Sequence, residues 1–366
     1  MHKKRLTKLR SLLLQMELDA LVVTLPANRR YLSGFTQADG QWGESAGWLL
    51  IAPTAAVLVT DSRYQLSAGQ QAPLFELRLH RQGLAKETAA LAAELGIKRL
   101  AIEADGMLVM WQQALARELD QVELKPTRGL VGSLRLRKDS TEVAAITASL
   151  ELMEGVLGDM LAQDLAGRSE RELALAITRA VEDAGAEGTA FEPIVAAGPN
   201  AAEPHAQPGG RSLQPGRCAL FDVGARVDGY CSDISRTVVV GGPGRADDTF
   251  RRVYPVVRRA MEEAIAGIEV GMTGAEADAL ARRVIERAGF GENFGHSLGH
   301  GVGLATHEAP SLSPGSSDVL LQGMVFTIEP GIYLPGWGGV RLEQMVLLED
   351  QGCRLLNGWN DFYRLD

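Results

Sequence analysis

Residues 221–237 read FDVGARVDGYCSDISRT. Asp222 and Asp233 stand eleven residues apart in what is otherwise the pattern of two strands joined by a tight turn. Aspartate is depleted in strands. The neighbours Leu220, Phe221, Val223 and Val238 to Val240 imply burial, where an unpaired carboxylate is costly. Asp228-Gly229 is a strong two-residue hairpin signal. With that pair as the turn, Asp222 faces Ser235, Asp233 faces Gly224, and the two aspartates share a face at diagonal positions. With the turn one residue earlier, they face each other directly. Either register sets two like charges within side-chain reach, so the hairpin needs something positive between them unless its face is solvated.

The histidines point to the same region. Of six in the chain, four are His205, His296, His300 and His307. Residues 295–310 read GHSLGHGVGLATHEAP. His296 and His300 have the four-residue spacing of a zinc-binding HExxH helix, but Gly295, Gly299, Gly301 and Gly303 make a helix improbable and no Glu follows the first histidine. A glycine-rich extended segment, its backbone close to a site, fits better. Glu329 ends the apolar run of MVFTIEPGIYL, and Glu343 lies within GGVRLEQMVLL, with Arg341 on the same strand face. Alone, Arg341 and Glu343 read equally well as a plain salt bridge. Together, Asp222, Asp233, Glu329, Glu343 and one histidine form an oxygen-rich, single-nitrogen ligand set. Two divalent cations ~3.5–4 Å apart would neutralise it. Such donors suit Mn²⁺, Co²⁺, Fe²⁺ or Zn²⁺.

The 366 residues suggest two domains. With 46% hydrophobic and 23% charged residues the chain reads as an ordinary globular protein, and a net charge of −9 argues against a nucleic-acid binder with a broad basic surface. The basic opening segment has only Leu12–Leu14 as an apolar run, too short for a secretory signal, and no stretch is long enough to span a membrane. Three cysteines without a CxxC pair point to buried, unreactive thiols in a reducing cytoplasm. Residues 1–132 alternate apolar runs (21–25, 48–52, 56–60, 100–104) with helical patterns (5–18, 85–95, 107–119), an α/β domain. The polar stretch RLRKDSTE marks the change to a second domain, residues 133–366, with Asp139 and Glu142 capping a long helix to about 166. That domain repeats an ααβ pattern: a capped helix at Ser169/Glu172 precedes the aspartates. A helix over 247–267, kinked at Pro255, and a second capped helix at Thr273/Glu276 precede the glutamates. From capping glutamate to first strand carboxylate is 50 residues in one copy and 53 in the other.

The two aspartates eleven apart, GHGVG, EPG and the late RLE, in that order, resemble the metallopeptidase family of methionine aminopeptidases, Xaa-Pro aminopeptidases (aminopeptidase P) and Xaa-Pro dipeptidases (prolidases). The likeness covers the whole chain. It implies an N-terminal creatinase/prolidase-like α/β domain followed by an α+β pita-bread catalytic domain, with duplicated ααβ units around a curved, mainly antiparallel sheet. It places the metal ligands at Asp222, Asp233, His300, Glu329 and Glu343: His300 and Glu329 serve one ion, Asp222 chelates the other, and Asp233 and Glu343 lie between them. His205, His296 and His307 match histidines around the substrate, Arg341 an arginine behind the ligands, and Tyr333 a tyrosine near the site. The implied cofactors are two divalent ions, Mn²⁺ foremost, the implied substrate a peptide with proline second, and the implied assembly a homodimer. The N-terminal domain argues against methionine aminopeptidase. The full ligand set argues against a metal-free creatinase-type hydrolase and against pita-bread proteins that serve only as binding modules. One position departs from the family: Ser311 stands where prolidases and some aminopeptidases P carry an arginine that helps hold a substrate's terminal carboxylate. That favours an Xaa-Pro aminopeptidase accepting longer peptides over a strict prolidase.

Overall fold

A computed structural model describes residues 1–40 and 43–365. The chain forms two compact units, Met1–Arg135 and Leu136 onward. The first contains α1 (His2–Gln15), β1 (Ala20–Val23), α2 (Pro26–Ser33), β2 (Trp48–Ile51), β3 (Ala56–Thr60), α3 (Gln65–Gln71), β4 (Glu76–Leu79), α4 (Leu84–Glu94), β5 (Arg99–Glu103), α5 (Val109–Glu118), β6 (Glu123–Thr127) and α6 (Leu130–Arg135). One mixed sheet runs β4-β3-β2-β1-β5-β6. Its central strands β1 and β2 are buried throughout, as their unbroken apolar sequences require. The edge strands β4 (ELRL) and β6 (ELKPT) are half exposed, and Pro126 is tolerated in the latter because an edge strand can lack a donor.

The second unit contains α7 (Ser140–Leu161), α8 (Glu170–Asp183), β7 (Gly188–Thr189), β8 (Ile194–Ala197), β9 (Cys218–Val223), β10 (Ala225–Val227), β11 (Tyr230–Cys231) and β12 (Ile234–Val239). It continues with α9 (Asp248–Gly267), α10 (Gly274–Arg287), β13 (Gly299–Gly301), β14 (Glu308–Leu312), β15 (Val325–Ile328), β16 (Gly331–Leu334), β17 (Gly338–Arg341), β18 (Gln344–Glu349) and β19 (Gly352–Leu355). All three expected capping boxes form, at Asp139/Glu142, Ser169/Glu172 and Thr273/Glu276. Helix α7 stops at Leu161, short of 166: Asp164 turns its carboxylate onto the Ala166 N–H, a local bond that competes with the helix. Helix α9 runs unbroken through Pro255.

The duplication is visible in the backbone. Cap residues Ser169 and Thr273 make the same isolated bridge to a later segment, at Ser212 and Val319. The first copy supplies the sheet β12-β9-β8, and the second contributes β13-β15-β18 to the sheet β14-β13-β15-β18-β19. A bond from the Glu343 N–H to the Ser235 carbonyl, 3.2 Å, joins the two copies. Behind them, Phe250, Val257 and Met261 of α9 share one buried core with Leu220, Phe326 and Val346 of the strands. Truncating a residue such as Phe326 to alanine should cost ~3–5 kcal/mol.

Candidate metal centre

The hairpin register is the first of the two weighed from sequence. Asp228 (φ 48°) and Gly229 (φ 79°) form the turn, as a type I′ geometry demands. Val227 pairs with Tyr230, and Asp222 with Ser235. Asp222 is the penultimate residue of β9 and Asp233 immediately precedes β12, on the same face and diagonal to each other. In the second copy, Glu329 follows β15 and Glu343 precedes β18, one step beyond the paired Ile328 and Gln344.

His300 arrives on a strand that only glycine permits. A Cβ on Gly299 would lie 2.0 Å from the Thr327 carbonyl oxygen, and one on Gly301 2.1 Å from that of Ala309. The flanking glycines therefore let β13 squeeze between β14 and β15 with His300 between them. The His300 Nδ1 lies 3.1 Å from the Gly301 carbonyl. A carbonyl can only accept, so Nδ1 carries the proton and Nε2 keeps a lone pair. That lone pair faces Glu329 Oε1 at 3.3 Å and Asp233 Oδ2 at 3.6 Å.

Two overlapping groups of donors result. One atom each of Asp222, Asp233 and Glu343 lie within 4.8 Å of one another, and so do one each of Asp233, His300 and His307. Asp233 belongs to both; the second group takes in His307, and Glu329, 3.3 Å from His300 Nε2, is in neither. The cluster fits cations on three further grounds. Asp222 Oδ1 and Glu343 Oε1 are buried without a hydrogen-bond partner among the described residues. Burial, then repulsion from Glu343, Asp222 and Glu329, pushes the Asp233 carboxyl far above its ordinary range. Burial pushes Glu343 up in the same way and raises Glu329 to about 7. Burial also lowers His300 to about 4, keeping it the neutral imidazole that a metal requires.

Arg341 faces the cluster from behind. Its Nη2 donates to Asp222 Oδ2, its Nε to Ser235 Oγ at 2.8 Å, and its Nη1 to Tyr333 Oη at 2.8 Å and the Pro204 carbonyl at 3.1 Å. Tyr333 Oη in turn lies 2.8 Å from His296 Nε2. His296 Nδ1 bonds the Ser297 carbonyl at 2.8 Å, which makes Nε2 the acceptor and Tyr333 the donor. Arg341 thus donates both ways, to Asp222 on one side and through Tyr333 to His296 on the other.

His205, Asp222, Asp233, His296, His300, His307, Glu329 and Arg341 line one cavity of about 450 Å³. Glu343 and Tyr333 stand behind its wall, 1% and 6% exposed. Phe191, Glu192, Ile194, Pro204, Ser297 and Thr306 complete the lining. No spacing or motif in the sequence singled out these six. Ser311, on β14, bonds Asp318 through its N–H (2.9 Å) and lies outside the cavity lining. Cys218 and Cys231 are buried and Cys353 partly so, and burial pushes the thiols of Cys218 and Cys353 up to about 11 and about 12.

Residues 144–350 match Metallopeptidase family M24, and residues 5–137 match the Creatinase/Prolidase N-terminal domain. The chain is 37% identical to an uncharacterized peptidase, YqhT, of Bacillus subtilis over 96% of its own length and 97% of the relative's. Its fold matches an Xaa-Pro dipeptidase from Bacillus anthracis with a TM-score of 0.93, at 35% identity and 99% coverage of both chains. It matches an X-Pro aminopeptidase from Thermotoga maritima with a TM-score of 0.84, at 34% identity and coverage of 93% and 95%. The chain belongs to metallopeptidase family M24, with a creatinase-type N-terminal domain and the pita-bread architecture. It is a hydrolase of peptides, and its family implies divalent metal ions. No helix among the described residues is long and apolar enough to cross a membrane.

Proposed function

We propose that the chain is an Xaa-Pro aminopeptidase, releasing the N-terminal residue from peptides with proline second and accepting peptides longer than two residues. Asp222, Asp233, His300, Glu329 and Glu343 would hold two divalent cations, with Mn²⁺ the best match to the oxygen-rich donors. The observation that carries this is Asp233 standing in both donor groups while buried oxygens of Asp222 and Glu343 lack hydrogen-bond partners among the described residues. When bound, the cations supply Lewis-acid polarisation of the scissile carbonyl and lower the pKa of the attacking water from ~15.7.

The chain's own groups do the rest. Glu329, beside His300 on the cavity wall, accepts the proton of the attacking water and returns it to the proline nitrogen as the bond breaks. His307, exposed at the cavity, donates to the developing oxyanion. His205 and His296 orient the peptide, His296 being fixed by Tyr333.

The preference for longer peptides rests on charge. Arg341 is the one Lys or Arg among the described lining residues, and each of its three nitrogens already donates to Asp222, Ser235, Tyr333 or Pro204. A dipeptide's free carboxylate therefore meets no uncommitted arginine or lysine in this lining, and Glu192 adds a negative charge to it. The names of several relatives support the second reading, a dipeptidase: a Pyrococcus furiosus protein 33% identical over 97% of both chains is an Xaa-Pro dipeptidase.

The test is one kinetic panel with Mn²⁺ supplied. Cleavage of Ala-Pro-Ala supports the aminopeptidase reading, and cleavage of Ala-Pro alone supports the dipeptidase. Hydrolysis of Ala-Ala-Ala would mean that proline is not required. Full activity in a chelator-stripped sample would overturn the metal-dependent mechanism.

A further inference from the structure

We propose that Lys138 and Glu308, 170 residues apart, are positioning residues that hold His307 in register with the carboxylate cluster. The proposal rests on the function given above for His307. His307 does little to fix itself: it is exposed, and among the described residues its ring contact is with His300, ring centres 4.1 Å apart. The next residue is turned the other way. Glu308 Oε1 lies 2.7 Å from Lys138 Nζ, with the lysine side chain 1% exposed and the glutamate side chain 11%. The same carboxylate packs over Gly303, where a Cβ would come within 2.4 Å of Oε1. Glu308 is also the residue paired with Gly301, next to the register shift that follows His300.

The lysine end is rigid. The Lys138 N–H bonds the Gly323 carbonyl at 2.7 Å, and Arg137 bridges Met324, just before the strand that leads to Glu329. Asp139 then caps α7, and α7 is tied to the aspartate hairpin: Tyr230 Oη donates to Glu142 Oε1 at 2.9 Å, and Ser149 Oγ to the Ala225 carbonyl at 2.9 Å. Lys138 is thus mounted between the segment carrying Glu329 and the hairpin carrying Asp222 and Asp233. A buried ion pair stabilises a fold little better than apolar side chains of the same volume, because desolvation offsets the attraction. What it supplies is a fixed distance and direction, here directly behind the backbone of His307.

The experiment compares Lys138→Met, Lys138→Arg and Glu308→Gln with the wild-type full chain. It measures Mn²⁺ affinity by calorimetry, kcat and KM on Ala-Pro-Ala for the loaded enzyme, and the His307 imidazole resonance of the ¹³C-histidine-labelled metal-free chain, assigned with His307→Gln. Lys138→Met and Glu308→Gln are expected to lower kcat about 10–100-fold and to move or broaden the His307 resonance, with KM and Mn²⁺ affinity within about threefold of wild type. Lys138→Arg should restore most of both. If Lys138→Met does not fold, Glu308→Gln, which keeps the volume and an acceptor for Lys138, decides. An unmoved His307 resonance in the folded variants, or activity lost only in proportion to lost Mn²⁺ binding, would overturn the proposal. The resonance reads positioning without turnover. A wild-type chain that cleaves no X-Pro peptide would therefore overturn the proposed function while the spectra still decide this one.

Discussion

The aspartate half and the glutamate half of the second unit are built alike and loaded differently. Each begins from a capped helix, α8 or α10, with the same bridge from its cap, and each delivers two carboxylates on a hairpin. In the first half a two-residue turn sets the short side chains of Asp222 and Asp233 diagonally. In the second, Glu329 and Glu343 follow directly from the Ile328–Gln344 pair, and the connection is the longer β16–β17 hairpin. Only the second half places a histidine on its added strand, His300 on β13, whereas Ile194 of β8 in the first half lines the cavity. Arg341 crosses from the second half to Asp222 in the first. Duplication supplied the carboxylates twice. His300 and the charge that balances Asp222 came once, from the second copy, and in the proposed two-ion site that asymmetry would distinguish the two positions.

Breaking the shared residue should have the largest effect. Asp233→Ala removes the donor common to both groups, so activity should fall by ~10³-fold or more while the fold persists, as enzyme assay and circular dichroism would report. Arg341→Met should separate the halves, because it strips Asp222 of its cation. Calorimetry should show one of two Mn²⁺ sites weakened roughly 10–100-fold and the other little changed. Equal weakening of both would say that the asymmetry is not real.

Acid and base should reveal the cluster without ions. The folded carboxyls of Asp233 and Glu343 are pushed up by burial and by neighbouring carboxylates, and burial raises Glu329 to about 7. In the ordinary carboxylate range the unfolded chain releases these protons while the folded, metal-free chain keeps them. Their contribution to stability is therefore complete at low pH and lost as pH rises through about 7. The Tm of the metal-free chain should drop on the order of 5 °C between about pH 5 and about pH 7.5, and Mn²⁺ should reverse the drop. A flat profile in the chelated sample would contradict the cluster's electrostatics.

Smaller effects sharpen the comparison. Tyr333→Phe leaves His296 Nε2 and one Arg341 N–H short of a partner, so kcat/KM should fall about tenfold with both ions retained. Ser169→Ala and Thr273→Ala should each cost ~1 kcal/mol, equal in the two halves and without effect on metal content.

Much of this was legible in the sequence because it rests on local rules. Asp228-Gly229 can form a tight turn in few ways, so the parity of the aspartates followed from it. Four glycines ruled out a helix around His300, and each Ser/Thr/Asp-x-x-Glu announced a helix start. What escaped depends on distant partners. The approach of His307 to His300 needs a bulge in β13, which no periodicity records. The cavity walls at Phe191, Glu192 and Ile194 belong to a loop and a short strand without repeating pattern. Lys138 and Glu308 lay in two stretches already singled out, RLRKDSTE and HEAPS, yet only the folded chain brings them together. In the first unit, the edge strands β4 and β6 are too polar to stand out from loops.

The most direct test of the central claim, that two half-sites share Asp233, is a calorimetric titration of the chelator-stripped chain with Mn²⁺. The shared-ligand site predicts two ions per wild-type chain and the loss of both in Asp233→Asn. A single ion per wild-type chain, or two ions still bound after that substitution, would contradict it.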